Sequence, residues 1–331
     1  MDDYTRKTIF LGIDVFVKYW QRAFKGAVIK SAYEAGFCGF VLHRFLVANG
    51  IQNIVVHPAS IEVESRNIKK TDKRDSKKIA IQVCAGRLHC VNIPAIEEEH
   101  RRYISCLRET FAKQRTRAAN QLKSFLNVNR VISWDKSPNI SKKWLEELNN
   151  LDLNDSLKFC IKKLSYTWIY FSAEIVDIER KLSLMTPEEE ELYKAYRKIP
   201  GFGPRIARTL LHELGDTMQF SNEEKLFSFC GLTPSEHSSG EHKRLGHITR
   251  QGNPILRKSL VQAAWVAIKK DACFKELFYK HSAKKGKCSA IIVVAKKLIG
   301  RARCAIKKKD LYLDVKADEK VALQEDFVAA P

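Results

Sequence analysis

The chain has 331 residues, 45% of them apolar, and carries 58 Lys and Arg against 38 Asp and Glu, a formal net charge of +20. That length can bury a sizeable core in two or three domains. The longest apolar runs, "TIFLGIDVFV" (8–17) and "AIIVVA" (290–295), are far short of the roughly 20 residues of a bilayer span, which excludes a membrane helix.

In chain order, "TIFLGIDVFV" is β-branched and apolar on both parities and predicts a buried strand ending just after Asp14. "GAVIKSAYEAG" (26–36) predicts a second strand carrying Glu34 near its end, "FCGFVLHRFLVANG" (37–50) a helix stopped by glycine, and "IQNIVVHPAS" (51–60) another short strand. Strand, helix, strand implies an α/β layer with a parallel pair. A polar connection from Ser65 becomes a helix near Thr71 or Asp72, on which Asp72 and Asp75, three apart, share a face. Residues 91–131 start as a loop with Pro94 and continue as a long charged helix. Further helices near 141–149 and 152–184 make 96–184 a helical coiled-coil arm.

"IPGFGPRIA" (199–207) looks like the turn of a helix-hairpin-helix, with Gly201 and Gly203 admitting a phosphate to the amides that open the next helix. A plain glycine turn between packed helices explains the same spacing. Ser221 and Glu224 form a capping-box pattern before a helix that stops at Gly231. Helices are predicted over 253–271 and about 288–306, with a mixed-charge tail from 310. The nine cysteines are scattered singly, which speaks for reduced thiols and against a disulfide framework or zinc site. "MDDYTRK" lacks the basic and apolar regions of a secretory leader, so the expected compartment is the cytoplasm.

Charge points to the partner. Residues 241–309 hold nineteen Lys and Arg against three acids, a clustered footprint that attracts a phosphate backbone and favours nucleic acid over a generally basic surface. The carboxylates raise a different question. Asp14, Glu34, Asp72 and Asp75 would converge at one sheet edge if their elements are neighbours, and such a cluster repels itself unless hard divalent cations neutralise it. Magnesium, or manganese, is the expected ion. Exposed caps and ion pairs with Lys69, Lys70 or Arg74 also account for Asp72 and Asp75.

"FLGIDV", "YEAGFCGF", "KTDKRDSKKIA", "IPGFGPRIARTL" and "GLTPSEHSSGEHKRLGHITRQGNPILRKSLVQAA", in that order, resemble the insertion-sequence transposases that pair a RuvC-like DEDD domain with a C-terminal serine transposase domain, the bridge-RNA-guided DNA recombinases. The resemblance covers about residues 8–305. It implies an α/β plus α protein: a shortened RuvC-like, ribonuclease-H-type domain (1–95), the helical arm (96–184), a mostly helical serine transposase domain (185–309) and a tail (310–331). It implies that Asp14, Glu34, Asp72 and Asp75 bind metal and that the serine of "SSG" attacks a DNA phosphate. Ser239 is the first choice and Ser238 the alternate.

Lys243, Arg244 and Arg250 would neutralise the phosphate as charge develops, and Gly246 and Gly252 would let a strand approach the backbone. Arg205, Arg257 and Lys258 join Gly201 and Gly203 as nucleic-acid contacts. The implied partners are DNA, a noncoding guide RNA and further copies of the chain in a homodimer or homotetramer, at the bacterial nucleoid. In the family the interval from the first Asp to the Glu holds a hairpin and a helix, whereas Asp14 and Glu34 are only twenty apart, so a smaller sheet is expected. Two other readings stay open: a metal-dependent structure-selective DNA nuclease, and a decayed, inactive DNA-binding copy.

Overall fold

A computed structural model describes residues 12–36, 38–62, 71–88, 90–132, 138–186, 190–236 and 245–307, and the chain divides into two units, 1–95 and 96–331. The first unit opens with a correction. Residues 13–17, expected in a strand, begin helix α1 (Ile13–Ala23). Phe16, Val17 and Trp20 fall at helical spacing on one face; Val17 is buried with Leu46 and Ile51, Trp20 packs beside them, and the Phe16 and Trp20 rings lie 4.0 Å apart. A single turn thus puts all three aromatic and branched side chains where a strand would split them between faces. Residues 8–11 of that expected strand lie outside the described residues.

β1 (Lys30–Glu34), α2 (Val41–Ala48) and β2 (Gln52–Val56) follow as the expected strand, helix, strand unit. The two strands pair in parallel, Lys30 opposite Gln52 through Glu34 opposite Val56, and form a two-stranded sheet. Val55 and Val56 are fully buried. Buried Asn53 fixes the layer: its Nδ2 donates to Ser31 Oγ on the neighbouring strand (2.8 Å), and its Oδ1 lies 2.8 Å from His43 Nδ1 on α2. A buried amide satisfied on both sides allows one register only. α3 (Asp72–Cys84) packs on β1, and its buried Gln82 donates to the Glu62 carbonyl (3.2 Å) and accepts from the Glu62 amide (3.3 Å).

In the second unit, α4 (Ile96–Val128) and α6 (Asp155–Leu184) run antiparallel, as the pairings of Arg108 with Glu179 and Phe111 with Phe171 show. α5 (Lys142–Asn149) closes one end of the pair, burying Leu122, Leu126, Leu145, Leu148 and Ile161 together. Ser141 and Asn154 cap α5 and α6 by accepting from Trp144 N (3.1 Å) and Leu157 N (2.8 Å).

The main core is built by α7 (Glu191–Arg197), α8 (Pro204–Glu213), α9 (Glu223–Phe229), α10 (Pro254–Lys270), α11 (Ala272–Lys285) and α12 (Lys287–Lys307). α10 presents Ala263, Ala264 and Ala267 at its centre, all fully buried, so neighbouring backbones come close. A short hairpin, β3 (Pro234–Glu236) with β4 (Leu245–Ile248), lies between α9 and α10 in the chain. Asn222, not the expected Ser221, caps α9 by accepting from Lys225 N at 2.9 Å. α11 follows α10 directly because Asp271 ends one helix and caps the next, accepting from Cys273 N (3.0 Å). Asp271 also meets Arg301 of α12 at 3.4 Å, with both side chains only 3% exposed and the Arg301 guanidinium 4.2 Å from the centre of the Phe274 ring. All nine cysteines are free, and no helix among the described residues is long and apolar enough to cross a membrane.

Candidate functional site

The flanks of the serine segment form a strand pair. Ser238, Ser239, Lys243 and Arg244 lie in 237–244, outside the described residues, but the strands on either side pair antiparallel, with Glu236 opposite Leu245 and Pro234 opposite Ile248. The pairing continues at Thr249, whose amide donates to Thr233 O (3.0 Å), and the Ser235 hydroxyl donates to His247 O (3.2 Å).

The base of this hairpin is tied to three helices. Asn253 caps α10 by accepting from Ile255 N (2.8 Å) and Leu256 N (3.2 Å); its own Nδ2 donates to Glu213 Oε2 at the end of α8 (2.8 Å), and its amide donates to Phe229 O of α9 (2.8 Å). Glu213 is buried, so this charge-assisted bond is made away from water, where it is stronger. Arg257 reaches back from α10 to donate to Gly231 O (3.2 Å) and Gln251 O (3.3 Å). These positioning residues were not all hidden: "NP" at 253–254 is a helix-start signal, whereas nothing in the sequence singles out Glu213.

The glycines have packing reasons. Gly201, at φ +88°, sits where an ideal Cβ would lie 2.4 Å from the Ala263 carbonyl oxygen of α10. Gly252, at φ +80°, would place a Cβ 2.3 Å from Ser228 O, and Gly246 would place one 2.4 Å from Ser235 Oγ. Each of the three faces protein where an approaching strand was expected. Gly203 opens α8 as its N-cap, with nothing within 4 Å of a Cβ. Among the expected phosphate contacts, Arg257 is engaged as described and Lys258 is paired with Glu109 of α4, while Arg205 is exposed, its Nη2 3.5 Å from Gln262 Oε1. Arg250 is exposed and holds a left-handed backbone at φ +59°.

The four acids are placed on three elements. Asp14 is exposed in the first turn of α1, a position the helix dipole favours for a carboxylate. Glu34 ends β1, exposed; Asp72 and Asp75 open α3, the helix packed on β1, and Asp75 lies 3.8 Å from Lys78 Nζ. Neighbouring elements therefore do carry Glu34, Asp72 and Asp75. Among the described residues, however, no three or more His, Cys, Asp or Glu side chains are gathered closely enough to hold a metal ion. The expected convergence is not found, and as placed the four acids do not make a fitting cradle for a divalent cation.

A buried polar pair near the arm was missed in sequence. His212 of α8 is 3% exposed, with Nε2 2.6 Å from the Thr186 hydroxyl, itself fully buried. Burial first, then the Arg101 and Arg208 cations, hold the imidazole neutral, with a pKa of about 4. A lone His in "LLHEL" carries no spacing signal that would mark it.

Two sequence profiles match the chain: a DEDD-type IS110 transposase over residues 15–129, and a transposase of the IS116/IS110/IS902 family over residues 193–279. The first begins one residue after Asp14. The second runs from within α7 to within α11 and includes the serine segment. The "Putative transposase y4rJ" of Sinorhizobium fredii is 29% identical over 293 residues, 80% of this chain and 74% of that protein. The transposase for insertion sequence element IS1111A of Coxiella burnetii is 25% identical over 69% of this chain and 63% of its own length. The transposase for IS1328 of Yersinia enterocolitica is 25% identical over 60% and 58%. The chain thus spans less than two thirds of two of these three relatives. With a DEDD-type IS110 transposase profile over 15–129, an IS116/IS110/IS902 transposase profile over 193–279 and transposases as its relatives, the chain carries the transposase domains of the IS110/IS116 family.

Proposed function

We propose that the protein is a DNA recombinase that excises and integrates an insertion sequence by strand cleavage and exchange, with Ser239 as nucleophile and Ser238 as the alternate. The observation that carries this reading is the antiparallel pairing of β3 with β4 on both sides of the serine segment, inside the matched transposase region. In the step itself the serine Oγ forms an ester bond to a DNA phosphorus as one phosphorus–oxygen bond of the strand breaks; the departing sugar oxygen takes up the proton the serine gives away. A serine hydroxyl is a weak nucleophile and needs a proton acceptor. Lys243, Arg244 and Arg250 are the cations that would balance charge on the phosphate.

Divalent metal at Asp14, Glu34, Asp72 and Asp75 belongs to the same proposal as the family's expectation. Because those acids are not gathered in the described arrangement, no step is routed through the ion. A noncoding guide RNA, a homodimer or homotetramer, and Gly201, Gly203, Arg205, Arg257 and Lys258 as backbone contacts complete the reading. The test is a denaturing gel with a radiolabelled DNA carrying the element's joined ends, supplied with the RNA transcribed beside the gene. Wild-type protein leaves a covalent protein–DNA band, Ser239→Ala abolishes it, and Ser238→Ala keeps it. Metal-dependent cleavage that survives both substitutions without any adduct would overturn the serine mechanism in favour of a nuclease.

A further inference from the structure

A cleft of about 710 Å3 opens in the second unit where the arm meets the main core, lined by α4, α6, α8 and α10. Its charges are unequal. Arg108 is spent on Glu179, at 3.0 and 2.7 Å, and Lys258 on Glu109. Lys113, Arg115, Arg205 and Arg208 line the same cleft with no carboxylate partner among the described residues. Four unbalanced cations around one cavity repel one another and draw in an anion.

Two buried atoms sharpen this. Arg208 Nε and His212 Nδ1 have no hydrogen-bond partner among the described residues. They are four apart on α8, hence one turn apart on the same face. In the tautomer whose Nε2 accepts the Thr186 proton, Nδ1–H is a donor, so both orphans ask for an acceptor. An unsatisfied buried donor loses its bond to water without replacement, and an oxyanion with two free oxygens relieves both.

The shape selects a polymer over a lone ion. The lining residues of α4 run from Ser105 to Thr116, roughly 16 Å at about 1.5 Å per residue, which spans several nucleotides at about 3.4 Å of rise each. No Phe, Tyr or Trp lines the cleft, so there is no platform for stacking bases. We propose that this cleft binds the phosphodiester backbone of a nucleic-acid strand without reading its sequence, one phosphate seated against Arg205, Arg208 and His212 Nδ1 and its neighbours against Lys113 and Arg115. This rests on the reading of the chain as a nucleic-acid-acting transposase, and it assigns a binding surface to described residues of α4, α6, α8 and α10.

The probes are dye-labelled oligothymidylate DNA and oligouridylate RNA, titrated with the full chain by fluorescence anisotropy at several salt concentrations. Lys113→Ala combined with Arg205→Ala removes two exposed side chains and leaves the core intact, which circular dichroism verifies; Lys269→Ala combined with Lys270→Ala, on the exposed last turn of α10, is the charge-matched control. The cleft variant should lose about 1.4 from the slope of log affinity against log salt, at about 0.7 per single-strand contact, and the control should keep the wild-type slope. Loss with DNA alone, RNA alone or both supports the site and identifies its source. An unchanged slope in the cleft variant, or an equal loss in the control, overturns the cleft while leaving the transposase reading in place. No salt-dependent binding of either polymer by the wild type overturns both.

Discussion

The first unit closes its apolar cluster on Val17, Leu46 and Ile51, whereas the cluster of the second runs from Tyr193 to Ala305 through six helices. The candidate groups divide along the same line. The acids sit on exposed helix starts and a strand end of the thin unit; the base of the β3–β4 pair that flanks the serine segment is tied through Asn253, Glu213 and Arg257 to the thick one. A side chain can be held to fractions of an ångström only by neighbours that are themselves fixed. The contrast teaches that the strands flanking the serine segment rest on a large fixed core, whereas the four acids lie on exposed positions beside a small one.

The sharpest way to break this contrast is the buried ion pair. Arg301→Ala removes the ion-pair partner of Asp271 away from water and should cost about 3–5 kcal/mol, read as a lower denaturant midpoint, whereas Arg301→Met with Asp271→Asn, which keeps a capping oxygen for α11, should recover part of it. If the single change costs less than about 1 kcal/mol, the second core is looser than its packing implies. Next, Leu260→Ala should cost about 4 kcal/mol and Leu46→Ala about 2, since both are buried but Leu260 belongs to the much larger cluster. Hydrogen exchange followed on peptides of each unit separates the two, and equal losses would erase the distinction.

His212 supplies a pH test confined to the second unit. Its folded pKa, about 4, lies below the ordinary 6.5, so the unfolded chain binds the extra proton between those values. Stability is therefore fully present above about pH 6.5 and falls as pH drops toward 4, by about 3 kcal/mol at most. His212→Gln should flatten that part of the urea-midpoint profile. The smallest effects come from a matched pair of glycines with nearly the same backbone. Gly201→Ala, forced against Ala263, should cost about 2–3 kcal/mol, and Gly26→Ala, at φ +81° with nothing within 4 Å, about 1. Thermal melts of the two variants check this, and a Gly201 variant as mild as the Gly26 one would mean the turn can move off α10.

Legibility followed the same physics. The parallel pair, α3, the arm and the helices at 254–270 and 287–307 follow from periodicity and stop signals. Residues 13–17 mislead because Ile13, Val15 and Val17 are β-branched, and only the partners of Phe16 and Trp20 decide for a helix. β3 and β4 are three and four residues long, too short for any period to register. Arg301 is a buried charge on α12 whose partner lies thirty residues away in Asp271, and no local pattern pairs them. The acids at 14, 34, 72 and 75 are visible as residues, but whether three of them gather is a tertiary fact that no local spacing carries.

The fit of Gly201 against α10 has a bearing on how the cleft meets its ligand. The turn that leads into α8 comes up against the backbone of α10 at Gly201, at a point where even one methyl group would collide with Ala263 O. Most interfaces between helices can yield by a rotamer change, but a contact with no side chain in it cannot. The spacing between two walls of the cleft is thus cast before anything binds, so a strand must match an existing width. Selection there should favour one backbone geometry over another and show itself in how long a strand stays, with little adjustment by the protein.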